Sequence, residues 1–259
     1  MKRSYLFCAF LFLFITNCDN DDDSNCNNGT FIGEVNLKTQ AEVDAFGDMC
    51  YSAIDGKLYI GTGIPGSSDI TNLYPLSSLT EVFSSSSDRL SGIWIVENNN
   101  LNTLDGLHNI TSTSGILISK NHLLTNLSEL TGLTELSYSV GSSPGLTIIK
   151  NDALISLDGL QNINIIESSD QPQAQRFQIS IQGNSSLSNL DGLSNIYSFS
   201  GVVFIGSYDN VAYQEGNDNL TDFCGLASIL SNGTISSILI ENNAFNPSMQ
   251  DIIDGNCSQ

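Results

Sequence analysis

The sequence predicts an all-β solenoid, a right-handed parallel β-helix with disulfide-closed ends, on the basis of three observations. One sequence pattern repeats along the chain: apolar residues at alternate positions, then an asparagine, then leucine or isoleucine at every third position. Apart from Gln40 to Phe46, no stretch shows a sustained helical period. Cysteines flank the repeats at both ends. Stacked repeats of this kind bury apolar residues that no single repeat can bury alone.

Each repeat places two apolar residues two positions apart, then an asparagine, then apolar residues at every third position. The clearest copy reads Ile93-x-Ile95-x-x-Asn98, followed by Leu101-x-x-Leu104-Asp105-Gly106-Leu107. The period-two part predicts a short strand, and the period-three part predicts a coil with one inward side chain per step. About seven such rungs are expected to stack into one parallel sheet. The recurring asparagines are expected to bond turn backbone in a ladder formed by Asn98, Asn121, Asn151, Asn184 and Asn243.

This pattern resembles the repeat of the receptor L domain, the leucine-rich-repeat-like β-helix of the insulin and epidermal growth factor receptors. Bacterial surface proteins also carry that domain. The resemblance covers roughly Phe31 to Cys257, so residues 31–259 are interpreted as one receptor-L-domain-like solenoid. The resemblance implies ligand binding but does not identify the ligand. Growth-factor specificity does not follow, because nothing in the sequence resembles the cysteine-rich or kinase parts of those receptors.

The amino-terminal residues 1–17 are interpreted as a lipoprotein signal peptide. A basic start precedes an apolar run from Tyr5 to Ile15, which is too short to span a bilayer. Cys18 stands where a lipobox places the lipidated cysteine, and residues 18–30 predict an acidic, disordered tether. This arrangement is similar to that of surface lipoproteins of the Bacteroidetes and predicts a lipid-anchored protein at the cell surface or outer membrane. A free secreted protein is the alternative.

Four further cysteines lie outside the signal peptide and the lipidation position. They allow three pairings. Because two lie near the start of the repeats and two near their end, pairing within each end predicts Cys26–Cys50 and Cys224–Cys257. A zinc site is the rival interpretation, and the absence of any CxxC motif disfavours it.

The charge of the chain restricts its partners. With 28 acidic against eight basic residues, the net charge is −20. Nucleic acid is excluded as a partner, since its binding depends on basic residues that neutralise phosphates. The same charge disfavours adsorption to anionic lipid, so contact with a membrane is expected only through the lipid anchor. The expected partner is an extracellular glycan or protein.

No catalytic, cofactor-binding or metal-binding residue is predicted. A polysaccharide-acting β-helix enzyme, a lyase or a hydrolase, is the main alternative to a binding module, and a purely structural surface protein is the third. A lyase needs a basic proton acceptor, and Lys120 and Lys150 occupy the same place in successive repeats. Two lysines that form a surface pair explain that spacing more simply.

The predicted ligand-binding residues are Tyr59, Trp94 and Leu117. If Ile93 and Ile95 face inward, the residue between them faces outward, and the same register turns Tyr59 and Leu117 outward in the neighbouring rungs. Aromatic residues on an exposed sheet face suit a sugar ring or a protein hot spot. The alternative is that these residues pack on each other or lie under an inserted loop.

Overall fold

The computed structural model describes residues 28–86, 91–138, 145–168, 177–207 and 215–259. The predicted signal peptide, Cys18 and Cys26 lie outside these residues. Asn28 donates a backbone hydrogen bond of 2.8 Å to the Cys50 carbonyl oxygen, and the first strand begins at Thr30. The ordered structure therefore includes residues 28–30, which the sequence assigns to the tether.

Short strands make up most of the described structure. They are β1 (Thr30–Ile32), β2 (Val35–Leu37), β3 (Ala53–Asp55), β4 (Lys57–Gly61), β5 (Glu81–Phe83), β6 (Gly92–Val96), β7 (Ser112–Thr113), β8 (Ile116–Ser119), β9 (Glu135–Tyr138), β10 (Leu146–Ile149), β11 (Ile165–Ser168), β12 (Phe177–Gln182), β13 (Ser198–Gly206) and β14 (Thr234–Glu241). The α-helices are α1 (Gln40–Gly47), α2 (Ala227–Asn232) and α3 (Met249–Ile253), and 3-10 helices span Tyr74–Leu76, Ser128–Leu130, Asp191–Leu193 and Cys224–Leu226.

The strands form one large parallel sheet in two halves. Odd-numbered strands stack on one another from β1 to β13, and even-numbered strands stack from β2 to β12. The two halves join at β13, which pairs with β11 through its first residues and with β12 through residues 201–205. Strand β14 pairs with β13. An all-β, solenoid-like architecture built from parallel strands is confirmed.

The inward register predicted for the even strands is confirmed. Ile93 and Ile95 are fully buried, and so are Leu101, Leu104 and Leu107 on the coil that follows. These side chains belong to one continuous apolar cluster that extends from β2 to α3. Burial of such a ladder provides most of the driving force for folding, about 25 cal/mol per Å² of apolar surface.

Close stacking of the coils explains the glycine of the Asp-Gly turns. Gly159 has φ +116°, and a Cβ there would lie 1.7 Å from the Leu127 carbonyl oxygen of the preceding rung. The distance lies far inside van der Waals contact, so only glycine fits without a shift of the backbone. Gly106 meets Leu73 in the same way.

The odd strands were not predicted, because the sequence indicated a single strand in each rung. Each of the odd strands from β3 to β11, and the first part of β13, turns one large side chain to the core, and too few positions alternate for a period-two signal to show. The inward residues are Ile54, Val82, Thr113, Leu136, Ile166 and Phe199. The short helices α2 and α3 were also not predicted, whereas α1 covers the Gln40 to Phe46 segment that had a helical period.

Both ends of the described solenoid carry covering elements. Helix α1 begins with a Thr39–Glu42 capping box and buries Val43 and Phe46 at the amino-terminal end. At the other end the predicted Cys224–Cys257 disulfide is present. Cys50 is also disulfide-bonded, while Cys26, its predicted partner, lies outside the described residues. No described helix has the length and hydropathy required to cross a membrane.

Candidate functional site

The turn that ends each even strand is held by the asparagine ladder. In the middle of the ladder, the backbone N–H of Asn121 donates to Asn151 Oδ1 over 3.0 Å, and the N–H of Asn151 donates to Asn184 Oδ1 over 3.0 Å. Each amide also donates to strand carbonyl oxygens; Asn151 Nδ2 lies 3.0 Å from the Ile118 oxygen. These side chains are fully buried, so the ladder satisfies backbone groups that would otherwise be stranded in the interior.

The ladder contains one asparagine, Asn217, that the strand-x-x-Asn pattern did not predict. Asn217 accepts from the N–H of Asn184 and donates to Asn243 Oδ1 over 2.8 Å. A long segment separates it from the preceding strand, which breaks the strand-x-x-Asn spacing used to find the others. The spacing on its other side, Asn217-x-x-Leu220, matches Asn184-x-x-Leu187 and identifies it. Ser68 and Asn246 extend the ladder at its two ends.

The residue before five of the ladder asparagines, those other than Asn217, forms a left-handed corner. Glu97, Lys120, Lys150 and Asn242 have φ between 57° and 61°, and Gly183 has φ 63°. This conformation is unfavourable for residues with a side chain, so the stacked ladder must hold it in place. The corner aligns the side chains of successive rungs along the carboxyl-terminal edge of the even strands.

Lys120 and Lys150 do not pair with each other at this corner. Lys120 Nζ contacts Glu97 Oε1, and Lys150 Nζ lies 2.9 Å from Glu215 Oε1. Lys150 reaches Glu215 across Gly183, where a Cβ would lie 3.2 Å from Lys150 Cγ. Glu97 is only 3% exposed, whereas the Lys120 side chain is 41% exposed, so their ion pair joins a buried carboxylate to an ammonium group that contacts water.

The three predicted ligand-binding residues come together on the outer face of the even strands, where they form the apolar strip (Tyr59, Trp94 and Leu117). Tyr59 pairs with Trp94 across β4 and β6, and Trp94 pairs with Leu117 across β6 and β8. All three side chains are half-buried. The strip spans two strand spacings, about 10 Å.

Lys57 holds the two rings of the strip. Its Nζ lies 5.6 Å from the centroid of the Tyr59 ring and 5.8 Å from that of Trp94, both within the range of a cation–π contact. The same ammonium group lies 3.1 Å from Glu34 Oε2. The indole N–H of Trp94 donates to the Ser91 carbonyl oxygen over 3.2 Å. These contacts fix the orientation of both rings before any ligand binds.

Burial raises the pKa of the Tyr59 hydroxyl above its ordinary value of about 10. The Glu97 carboxylate raises that pKa further, and the Lys120 ammonium lowers it. The hydroxyl is therefore within electrostatic reach of the corner ion pair. Because the folded state holds this proton more tightly than the unfolded state, Tyr59 favours folding below pH 10, and that contribution is lost as the pH rises above it.

A Glu97→Gln substitution is expected to lower the pKa of Tyr59, because it removes the negative charge that raises this pKa and leaves the positive charge of Lys120, which lowers it. The tyrosinate absorbance of each protein is measured against pH, and that of its Tyr59→Phe derivative is subtracted. The difference gives the titration curve of the Tyr59 hydroxyl alone. Glu135→Gln, on β9, is the control and should leave the curve unchanged. An unaltered midpoint in Glu97→Gln would show that Tyr59 and the ion pair are not coupled.

The apolar strip ends at Leu117. The next two outward positions, Thr147 and Ser180, keep the predicted register but are 7% and 0% exposed. Ser180 Oγ accepts a 2.7 Å hydrogen bond from Gln182 Nε2. The outward side chains of the strip, on β4, β6 and β8, are thus partly exposed, whereas those of Thr147 and Ser180, on β10 and β12, are buried. The alternation of residues along the strands does not predict this difference.

Two groups of titratable side chains lie on the coil, away from the strip. His122 Nδ1 lies 2.8 Å from Asp152 Oδ2 in the next rung. The ligand atoms of Asp105, His108 and Glu129 lie within 4.8 Å of one another, a spacing compatible with a metal ion. Glu129 stands where other repeats have the glycine of the Asp-Gly turn. Since it departs from the repeat, the repeat pattern could not predict that these three side chains lie together. Asp105 and His108 already contact each other at 3.4 Å, and we assign no metal to them.

Comparison of the chain with family models, with curated proteins and with solved structures found no match.

Proposed function

We propose that this chain is a non-catalytic binding module of the receptor L domain type, with the strands wound into a right-handed β-helix. It presents the apolar strip to an extracellular glycan or protein. The observation that carries the proposal is the alignment of Tyr59, Trp94 and Leu117 in three successive rungs, where they remain partly exposed. Lys57 contacts the two aromatic rings. Outward positions of an exposed sheet are normally polar, and association buries apolar groups that contact water.

The lyase alternative has less support from the geometry. A lysine can accept a proton only in its neutral form, whereas both corner lysines, Lys120 and Lys150, contact carboxylates, which favour the charged form. Turnover of a polysaccharide that is abolished by Lys120→Ala or Lys150→Ala would favour the enzyme. A protein that binds no ligand at all would favour a structural role.

Trp94→Ala is expected to weaken ligand binding about tenfold or more, since truncation of a central aromatic removes a hot-spot contact. Trp94 is the only tryptophan, so binding should also shift or quench the fluorescence of the wild-type protein. A screen of glycans and surface proteins by fluorescence and calorimetry tests both points. Tyr197→Ala, which removes another exposed ring, is the matched control.

The thermal melting temperature of Trp94→Ala decides how its binding is interpreted. A variant that folds and binds normally contradicts the strip as the site. If Trp94→Ala unfolds, Tyr59→Ala and Leu117→Ser test the same surface, and normal binding by both contradicts the proposal.

We also propose that Cys18 carries the lipid that anchors the protein outside the cell. Cys18→Ala is expected to move the protein from the membrane fraction to the soluble fraction, because no covalent lipid then remains. Cys8→Ala, within the predicted signal, is the control and should leave fractionation unchanged. Retention of Cys18→Ala in the membrane fraction would contradict the lipobox interpretation.

A further inference from the structure

An ion pair lies on each side of the apolar strip, one at each edge of the sheet. Because the strands are parallel, their amino-terminal ends share one edge of the sheet and their carboxyl-terminal ends share the other. Glu34 and Lys57 form the pair at the first edge, and Glu97 and Lys120 form the pair at the second. The half-buried rings therefore lie between two sets of charged hydrogen-bonding groups.

Each of these two pairs is electrically neutral, so neither adds a net charge to its edge of the strip. Both lysines contact a glutamate, and the chain as a whole carries a net charge of −20. A polyanion would approach an acidic surface and meet ammonium groups that carboxylates already neutralise. Glu34 and Lys120 are 42% and 41% exposed, so both remain hydrated and able to exchange water for ligand hydroxyls.

On the basis of the proposed binding function, we infer that the strip takes a neutral glycan. The apolar C–H faces of sugar rings pack on the faces of Tyr59 and Trp94, which Lys57 holds in a fixed orientation. Sugar hydroxyls replace water at the two ion pairs through charge-assisted hydrogen bonds. The strip of about 10 Å matches the length of a short oligosaccharide.

A protein partner suits the same surface less well. The residues that dominate protein interfaces lie in fully desolvated pockets, so a protein seated on the strip would also dehydrate the ion pairs at both edges. Removal of water from charged pairs costs free energy that their mutual attraction offsets only in part. A glycan avoids this cost because its hydroxyl groups take the place of the displaced water.

Affinity electrophoresis and tryptophan fluorescence with defined polysaccharides test the inference. The neutral probes are laminarin, xylan and mannan, and the acidic probes are polygalacturonate and alginate. We expect at least one neutral probe to bind, with about tenfold weaker binding in Trp94→Ala and no loss in the Tyr197→Ala control. Binding should change little between low and high salt, since a neutral ligand is not subject to ionic screening.

Other results separate this inference from the proposed function. Preference for an acidic polysaccharide or a protein, abolished by Trp94→Ala, overturns the neutral-glycan inference and leaves the strip as a binding site. Neutral-glycan binding that is unchanged in Trp94→Ala, Tyr59→Ala and Leu117→Ser overturns both. Absence of binding to every neutral probe overturns the inference. Melting temperatures measured in parallel identify variants that fail to fold, and the binding data of those variants are not used. If Trp94→Ala or Tyr59→Ala fails to fold, Leu117→Ser tests the strip in its place, because it leaves both aromatic rings intact.

Discussion

Replacement of Leu104 by aspartate is expected to destabilise the protein by about 4 kcal/mol or more, which is a large part of the stability of an ordinary domain. Leu104 is 1% exposed and lies in the continuous cluster of Leu and Ile side chains that fills the solenoid. Aspartate would place a charge there without a partner and would also leave the volume of the leucine unfilled. The urea midpoint, followed by circular dichroism, measures the change.

Leu123 provides the matched control for this substitution. It lies one rung further along the coil, and its side chain is 51% exposed. Leu123→Asp changes the same chemical groups in contact with water, so we expect a change within about 0.5 kcal/mol. Similar midpoints for Leu104→Asp and Leu123→Asp would show that the inward register of the coil is wrong.

Replacement of Asn151 by alanine is expected to cost about 3 to 5 kcal/mol, although the substitution removes only a small polar group. Asn151 lies in the middle of the ladder, where its Oδ1 accepts from the N–H of Asn121 and its Nδ2 donates to the Ile118 oxygen. Alanine leaves these groups buried without that partner, and each such loss costs about 1 to 3 kcal/mol. The change in urea midpoint reports the sum.

Asn232→Ala is the control for the ladder. Asn232 is exposed, and its amide makes a 3.1 Å bond to the Ser228 carbonyl oxygen. We expect a change within about 0.5 kcal/mol, because water replaces the lost partner. A cost for Asn151→Ala no greater than that for Asn232→Ala would mean that the ladder contributes nothing to stability.

The composition of the candidate site could be predicted from sequence, but its electrostatics could not. Strict alternation places Tyr59, Trp94 and Leu117 on one face, and the stacking of equivalent repeats places them in adjacent rungs. The partners of Lys57 and Lys120 depend on which residues of neighbouring rungs come into reach. Glu34 and Glu97 are 23 residues from these lysines along the chain, at the equivalent position of the preceding rung. The repeat aligns each pair, but the direction of the side chains, and so the contact, is set by the tertiary structure.

The sequence by itself determined the inward residues of the even strands and most of the asparagine ladder. Both features repeat at short, regular spacings, and a side chain's direction follows from the local backbone geometry alone. Ile93, Ile95 and Asn98 illustrate this, since each lies where the repeat predicts and all three are fully buried.

Only the tertiary structure decided the odd strands, the place of Asn217 in the ladder and the closure of the outer face at Thr147 and Ser180. A short odd strand such as β5 has one large inward residue, Val82, and it is held to the strands on either side mainly by backbone hydrogen bonds. Those bonds are the same for every residue type, so they leave no trace in the sequence. Long-range stacking, rather than local pattern, decides where such segments become strands.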